Sequence, residues 1–435
     1  MKKLFTLLLL SFGALMFGQN KHPEYIKNAV YDYYQNIGIT IDTTKLPKIV
    51  IPDSNSTNIR QGNDNEKNKK IRLTPSALNH FFALETSSYV TSSKDLTFQK
   101  VYAVLSTSDK TLFLGRTFDT RKKETNAVSF LIATGFRAKV DDDFTSIYKN
   151  GKLQNDLGFV LKFHLIGNGS IYYEDEEKGE QQKKALSSSR DRITEKLIEN
   201  NFGDDKTSDE KETDFHKKTD KEKEKDFYKK IIAQEEVDFM RKFRLYNLST
   251  DHWFSFETYI PVSPRQYNII SDITGTEVKK EDFYPWYITA GATKYWKWSG
   301  GESCYISGFG NIKNNNNVET EALTKYTLPV YSPQNSSLIE ENKTVYGGDF
   351  QQFITPSLSA EFVSFFVSNS KFGLSAGVDK TFGKFDTLNW KLGIPFSLKD
   401  KEGKPSVNFE VVWKEVDKDH FVGINVGFTF GKFIQ

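Results

Sequence analysis

The last third of the chain alternates between apolar and polar positions. Phe372, Leu374, Ala376 and Val378 interleave with Gly373, Ser375, Gly377 and Asp379. Trp390, Leu392, Ile394 and Phe396 interleave with Lys391, Gly393, Pro395 and Ser397. Val407, Phe409, Val411 and Trp413 flank Asn408, Glu410 and Lys414, with Val412 out of pattern. Val422, Ile424, Val426, Phe428 and Phe430 interleave with Gly423, Asn425, Gly427 and Thr429. A period of 2 puts successive side chains on opposite faces of a strand. Four such strands of about ten residues, joined by short polar links, predict an up-and-down antiparallel sheet.

Similar runs lie upstream, at 101–106, 111–118, 127–138, 157–166, 253–260, 286–296, 303–309 and 322–331, with one or two more within 345–367. Thr107-Ser108-Asp109-Lys110 has the composition of a tight turn between the first two. At 157–166 the polar face carries Lys162 and His164. The spacing predicts all-β architecture: an antiparallel up-and-down transmembrane β-barrel of roughly 12–14 strands, closure taking an even number. The last strand, 423–433, is expected to seal onto the first, because an open edge in lipid leaves backbone groups unpaired.

Two stretches change period. Ile26, Ala29, Val30, Tyr33 and Ile37 recur at helical spacing, with Pro23 at the start and Gly38 past the end. An extended piece is expected at 39–51, followed by a polar linker. Residues 174–244 hold 21 acidic and 18 basic residues. Ile193, Leu197 and Ile198 suggest one short helix there, and Phe227, Ile231, Phe239 and Phe243 a second. Mixed charge at this density predicts a solvated, partly disordered insertion. The sharper reading is an arm for a protein partner.

Composition adds the compartment. Lys2 and Lys3 precede an apolar run from Leu4 to Phe17, after which Gly18, Gln19 and Asn20 turn the chain polar. This is the pattern of a signal peptide cleaved after Gly18. The organisation read from sequence is therefore 1–18 signal peptide, 19–70 helix and linker, 71–173 first β region, 174–244 charged insertion and 245–435 second β region. The net charge of +2 falls to zero without Lys2 and Lys3, giving no electrostatic reason to bind nucleic acid. Cys304 is the only cysteine, so no internal disulfide forms. The chain has 36 Phe, 20 Tyr and 6 Trp but 12 Pro, which favours strands and suits aromatic girdles. Phe283, Tyr284, Trp286, Tyr295, Trp296, Trp390 and Trp413 gather at expected strand ends.

The chemistry is sparse. Gly373-Leu374-Ser375-Ala376-Gly377 fits the G-x-S-x-G pattern of a nucleophile elbow, with His420 and Asp400 or Asp417 following in order. That motif needs a strand before and a helix after, whereas here the alternation runs straight through. The six His form no ligand pair, and Asp141-Asp142-Asp143 lacks the spacing of a calcium loop. Thus no catalytic, cofactor or metal site is expected. Asp379, Lys391, Glu410 and Asn425 fall on the polar face and are expected to line a lumen, with Lys414 and Asp379 also placeable at a rim. Thr381-Phe382-Gly383-Lys384-Phe385 recurs at 429–433, which suggests a shared rim environment.

The signal ending in Phe17-Gly18-Gln19 and the final strand from Gly423 to Phe433 resemble outer-membrane β-barrel proteins of diderm bacteria. The resemblance implies an outer-membrane location in contact with lipid. It leaves three readings: a non-enzymatic barrel acting in transport or envelope assembly, an exported soluble β-rich binding or adhesion protein, and a membrane-embedded hydrolase using Ser375 and His420.

Overall fold

The computed structural model describes residues 69–86, 95–107, 109–122, 126–139, 157–202, 218–270, 278–331, 340–366, 372–399, 405–416 and 419–434, with short pieces at 30, 33–35, 40–42, 48–50, 90, 148–149 and 152–153. The expected signal peptide, Asp141–Asp143, Asp400 and Asp417 lie outside these residues. The chain divides into two compact units, 78–172 with 246–435, and 1–77 with 173–245.

The first unit is a barrel. Its strands are β1 (Gln99–Ser106), β2 (Thr111–Asp119), β3 (Phe130–Lys139), β4 (Gly158–Ile166), β5 (Leu248–Pro261), β6 (Tyr287–Trp298), β7 (Ser303–Asn316), β8 (Gln352–Phe365), β9 (Gly373–Thr381), β10 (Leu388–Lys399), β11 (Pro405–Val416) and β12 (Asp419–Phe433). Each pairs antiparallel with the next. The ring closes where β12 meets β1, with Asn425 opposite Ser106 and Phe430 opposite Val101. Twelve strands thus pair edge to edge and leave no open edge.

An even strand count returns the chain to the rim where it began, here called the terminal rim. The excursion between β4 and β5 leaves and re-enters at that rim. The excursions 262–286 and 317–351 leave from the opposite rim. They supply four short strands, Lys279–Phe283, Arg265–Ile270, Glu340–Gly347 and Thr324–Tyr331, that pair in this order as a separate cap sheet. This corrects the reading of 322–331 as a barrel strand. Pro329 cannot donate to a ladder, and the strand that holds it sits at the cap sheet's edge.

The sequence echo also resolves differently. Thr381 ends β9 at the cap rim, where Gly383 takes a φ of 93° in the turn to β10. The second copy, 429–433, continues β12 to the terminal rim. The two copies therefore lie at opposite rims.

A helix, α1 (Pro75–Thr86), occupies part of the stretch read as the first β region. Thr74 caps it, its Oγ1 accepting from Ala77 N at 3.3 Å, and Pro75 fits the first turn, where no N–H is needed.

The second unit is helical. Long helices α2 (Glu176–Phe202) and α3 (Lys218–Lys242) fill most of the insertion, in place of the short helices expected. Glu236 is fully buried; it accepts from Arg190 Nε at 2.5 Å and from the Tyr33 hydroxyl. Arg190 also donates to Arg72 O at 2.8 Å. Burial alone would weaken the Arg190 charge, but Glu236 beside it reverses the effect and raises its pKa. Residues 30 and 33–35 are helical, with Val30, Tyr33 and Tyr34 buried, and Thr40–Asp42 pairs with Lys48–Val50.

Candidate functional site: the barrel wall and lumen

The outer wall is apolar around the whole ring. Val101, Leu114, Phe136, Phe159, Phe254 and Ile288 represent β1 to β6, and Ile306, Leu358, Val378, Leu392, Trp413 and Ile424 represent β7 to β12. Each is between 40% and 60% exposed. Proteins in water rarely expose apolar patches beyond a few hundred Å²; a continuous belt requires lipid. Aromatic pairs mark both rims. Phe136–Phe159 and Trp390–Trp413 stand 4.8 and 5.0 Å apart near the cap rim, and Phe372–Phe396 stand 5.3 Å apart near the terminal rim. The protein is an outer-membrane β-barrel. The belt removes the soluble alternative.

No protein-family profile and no curated protein matches the sequence. Among solved structures, a KdgM porin aligns over 76% of this chain and 98% of its own, at 7% identity and a TM-score of 0.27. The β domain of the Bordetella autotransporter BrkA aligns over 76% and 96%, at 10% identity and a TM-score of 0.26. Salmonella typhi OmpF, in complex with daunomycin, aligns over 76% and 95%, at 9% identity and a TM-score of 0.21. The architecture rests on the strand pairing itself.

The lumen has distinct contents along its length. Near the terminal rim it holds the end of α1. Glu85 is 2.9 Å from Lys297 on β6, and its carbonyl accepts from the Tyr305 hydroxyl on β7 at 3.2 Å. Phe81 meets Tyr246 edge to face at 5.3 Å. Val90 packs deeper, in a buried cluster with Tyr102, Val104, Phe113, Val160 and Tyr259. The end of α1 and Val90 thus lie inside the barrel.

The middle layer is a polar network in a dry setting. Lys162 donates to the Tyr102 hydroxyl at 2.9 Å, lies 3.6 Å from Glu257 and sits over the Phe113 ring at 4.6 Å. Tyr287 donates to Glu257 at 2.5 Å. Buried charges persist only when paired and hydrogen-bonded in this way.

Toward the cap rim the lumen opens into a cavity of about 460 Å³. Asp379, Lys391, Glu410 and Asn425 all line it, together with Asp109, Arg137, Lys313, Glu361 and Lys414. Lys391 donates to Glu361 at 2.5 Å, and Lys414 donates to Asp109 at 2.7 Å. Glu410 accepts from Ser375 at 2.6 Å and from Asn425 at 3.2 Å, and Asn425 Oδ1 accepts from Ser106 at 2.7 Å. The lining carries four cations and four anions, so it favours neither sign overall.

The hydrolase constellation is not assembled. Ser375 lies within unbroken strand β9 and faces the lumen, donating to Glu410. His420 lies on the outer wall beside the rings of Trp390 and Trp413, at 6.0 and 5.8 Å. Val412, which broke the alternation, is 2% exposed and lines the cavity. Sequence reading did not single out Arg137, Glu361, Glu85 or Lys297. Arg137 and Glu361 each occupy the inward register of a strand, flanked by outward Phe136 and Phe362, and that was the available signal.

Proposed function

We propose that this protein is a non-enzymatic, gated outer-membrane channel, exported by its N-terminal signal, with the terminal rim toward the periplasm. The observation that carries the reading is the division of the lumen. A polar cavity stands at one end, and the end of α1 with Val90 occupies the other, α1 being clasped to the wall by the buried Glu85–Lys297 pair. A wall that needs only to be stable has no use for a cavity of charged side chains. A path that must stay shut at rest does need a removable filling. One ion pair suits that role, because breaking a buried pair leaves an uncompensated charge and shifts the equilibrium by several kcal/mol.

Planar-bilayer recordings test the proposal. The wild-type protein should be closed most of the time, and Glu85→Gln and Lys297→Met should each raise open probability at least tenfold. A wild-type protein that conducts as a permanently open pore, or variants that remain as closed as wild type, would overturn it.

A second reading, an envelope-assembly component, draws on the helical unit. A pore needs no excursion of two long helices, whereas docking of a periplasmic protein partner does.

A further inference from the structure

The lipid-facing wall carries few charges, and toward the cap rim the protein meets them itself. Lys380, near the end of β9, pairs with Asp386, and Glu415 on β11 accepts from Trp390 Nε1 at 2.7 Å. Arg116 on β2 differs. It shares the outer face with Leu114 and Phe118, which are 52% and 41% exposed, while Gly115 and Thr117 turn inward. Its cross-strand neighbours on that face are Val101 and Thr134, neither of them a carboxylate. Arg116 makes no hydrogen bond or ion pair among the described residues.

The side chain has a direction. Its guanidinium stands 5.1 Å from the centroid of the Phe118 ring. Phe118 is two residues nearer the terminal rim, so Arg116 leans toward that rim and away from the membrane centre. Lys294 on β6 leans the same way, its ammonium 5.9 Å from the ring of Trp296, again two residues nearer the terminal rim. A cation on an apolar wall lays its stem along the wall and carries its charge to the headgroup level. Lys294 has the Asp251 carboxylate nearby, on the inner face. For Arg116 no carboxylate among the described residues plays that part, and its charge is left to be met from outside the protein.

What lies outside at that depth is lipid headgroup. The guanidinium fork matches a phosphate. A zwitterionic headgroup brings its own cation to the phosphate, whereas an anionic one leaves that charge open. Toward the membrane centre Leu114 stands opposite Phe136, each 52% exposed, an apolar surface for an acyl chain.

We propose that this part of the wall holds an anionic phospholipid, its phosphate on Arg116 and an acyl chain along Leu114 and Phe136. The site goes beyond the channel reading and is independent of gating by Glu85, which conductance reads. Only the choice of phospholipid over lipopolysaccharide rests on the terminal rim facing the periplasm.

Native mass spectrometry of the detergent-solubilised full-length protein tests it, with phosphatidylglycerol and phosphatidylcholine of identical acyl chains offered together. The wild-type protein should retain phosphatidylglycerol by about fivefold over phosphatidylcholine, the gain of one cation at an anionic surface. Arg116→Leu should lose this preference while keeping the wild-type mobility shift between unboiled and boiled samples. Arg116→Lys, which keeps the charge and loses the fork, should keep part of it. Inorganic phosphate in excess should leave the lipid bound. Equal retention of the two lipids by the wild-type protein, an unchanged preference in Arg116→Leu, or displacement by inorganic phosphate or by equimolar lipopolysaccharide overturns the proposal.

Discussion

Ser375 on β9 reaches Glu410 on β11 at 2.6 Å, across the strand that lies between them. The contact exists because that strand, β10, carries Gly393 at the crossing. A Cβ there would stand 2.4 Å from Ser375 Oγ and 2.8 Å from Glu410 Oε1. The glycine on the inward face is thus the gap through which two wall residues bond. Gly393→Val should cost about 1–3 kcal/mol, the usual range for overpacking. It should lower the temperature at which the barrel unfolds in gel-shift assays. An unchanged unfolding temperature would show that the contact does not matter to the wall.

The same contact predicts the absence of hydrolase chemistry. The hydroxyl donates to the Glu410 carboxylate, and His420 lies on the other side of the wall, so no imidazole is in position to activate it. A fluorophosphonate probe should leave the protein unlabelled. Labelling that disappears in Ser375→Ala would contradict this.

In the helical unit, Arg190 and Glu236 should behave as a buried pair. Removing one partner by Arg190→Met should cost about 3–5 kcal/mol, whereas joint replacement by Arg190→Met and Glu236→Leu should cost far less. Proteolytic protection of α2 and α3 reads both. Equal losses in the single and double variants would mean that the pair is not the organising contact.

The cap sheet should loosen in acid. Burial raises the pKa of Glu319, but Arg265 and the Tyr267 hydroxyl, at 2.6 Å, outweigh it and hold the carboxyl below its ordinary value of 4.5. A group depressed in the folded state stabilises fully above its unfolded pKa and ceases to do so as pH falls through its folded one. Hydrogen exchange across 265–270, 279–283, 317–331 and 340–347 should be slow at neutral pH and quicken below about pH 4.5, the ordinary value. In Glu319→Gln it should already be faster at neutral pH. Protection that is flat down to the folded-state titration would contradict the assignment.

The wall was legible in the sequence where each strand has one lipid face and one lumen face, as in β9 to β12, because only alternation satisfies both solvents. The lumen was not, because its contacts join residues distant in the chain: Ser106 and Asn425 are 319 positions apart, and Lys162 and Tyr102 are 60 apart. The polar-register residues Asp379, Lys391, Glu410 and Asn425 were readable as one face, but Arg137 and Glu361 complete the cavity only through closure. α1 escaped for another reason. Phe81, Phe82, Ala83 and Leu84 are all buried, so the turn shows no amphipathic stripe, and Thr74-Pro75 was its one local mark. At 322–331, β-like composition was real but did not say which sheet the strand joins.

Twelve strands close into a membrane-spanning barrel. Expression of the full-length chain with its own N-terminus, followed by membrane fractionation and electrophoresis with and without boiling, tests it most directly. The band should appear in the outer-membrane fraction and migrate faster unboiled than boiled, because a closed hydrogen-bonded barrel resists detergent until heated. A protein found in the soluble fraction, with the same mobility before and after boiling, would contradict it.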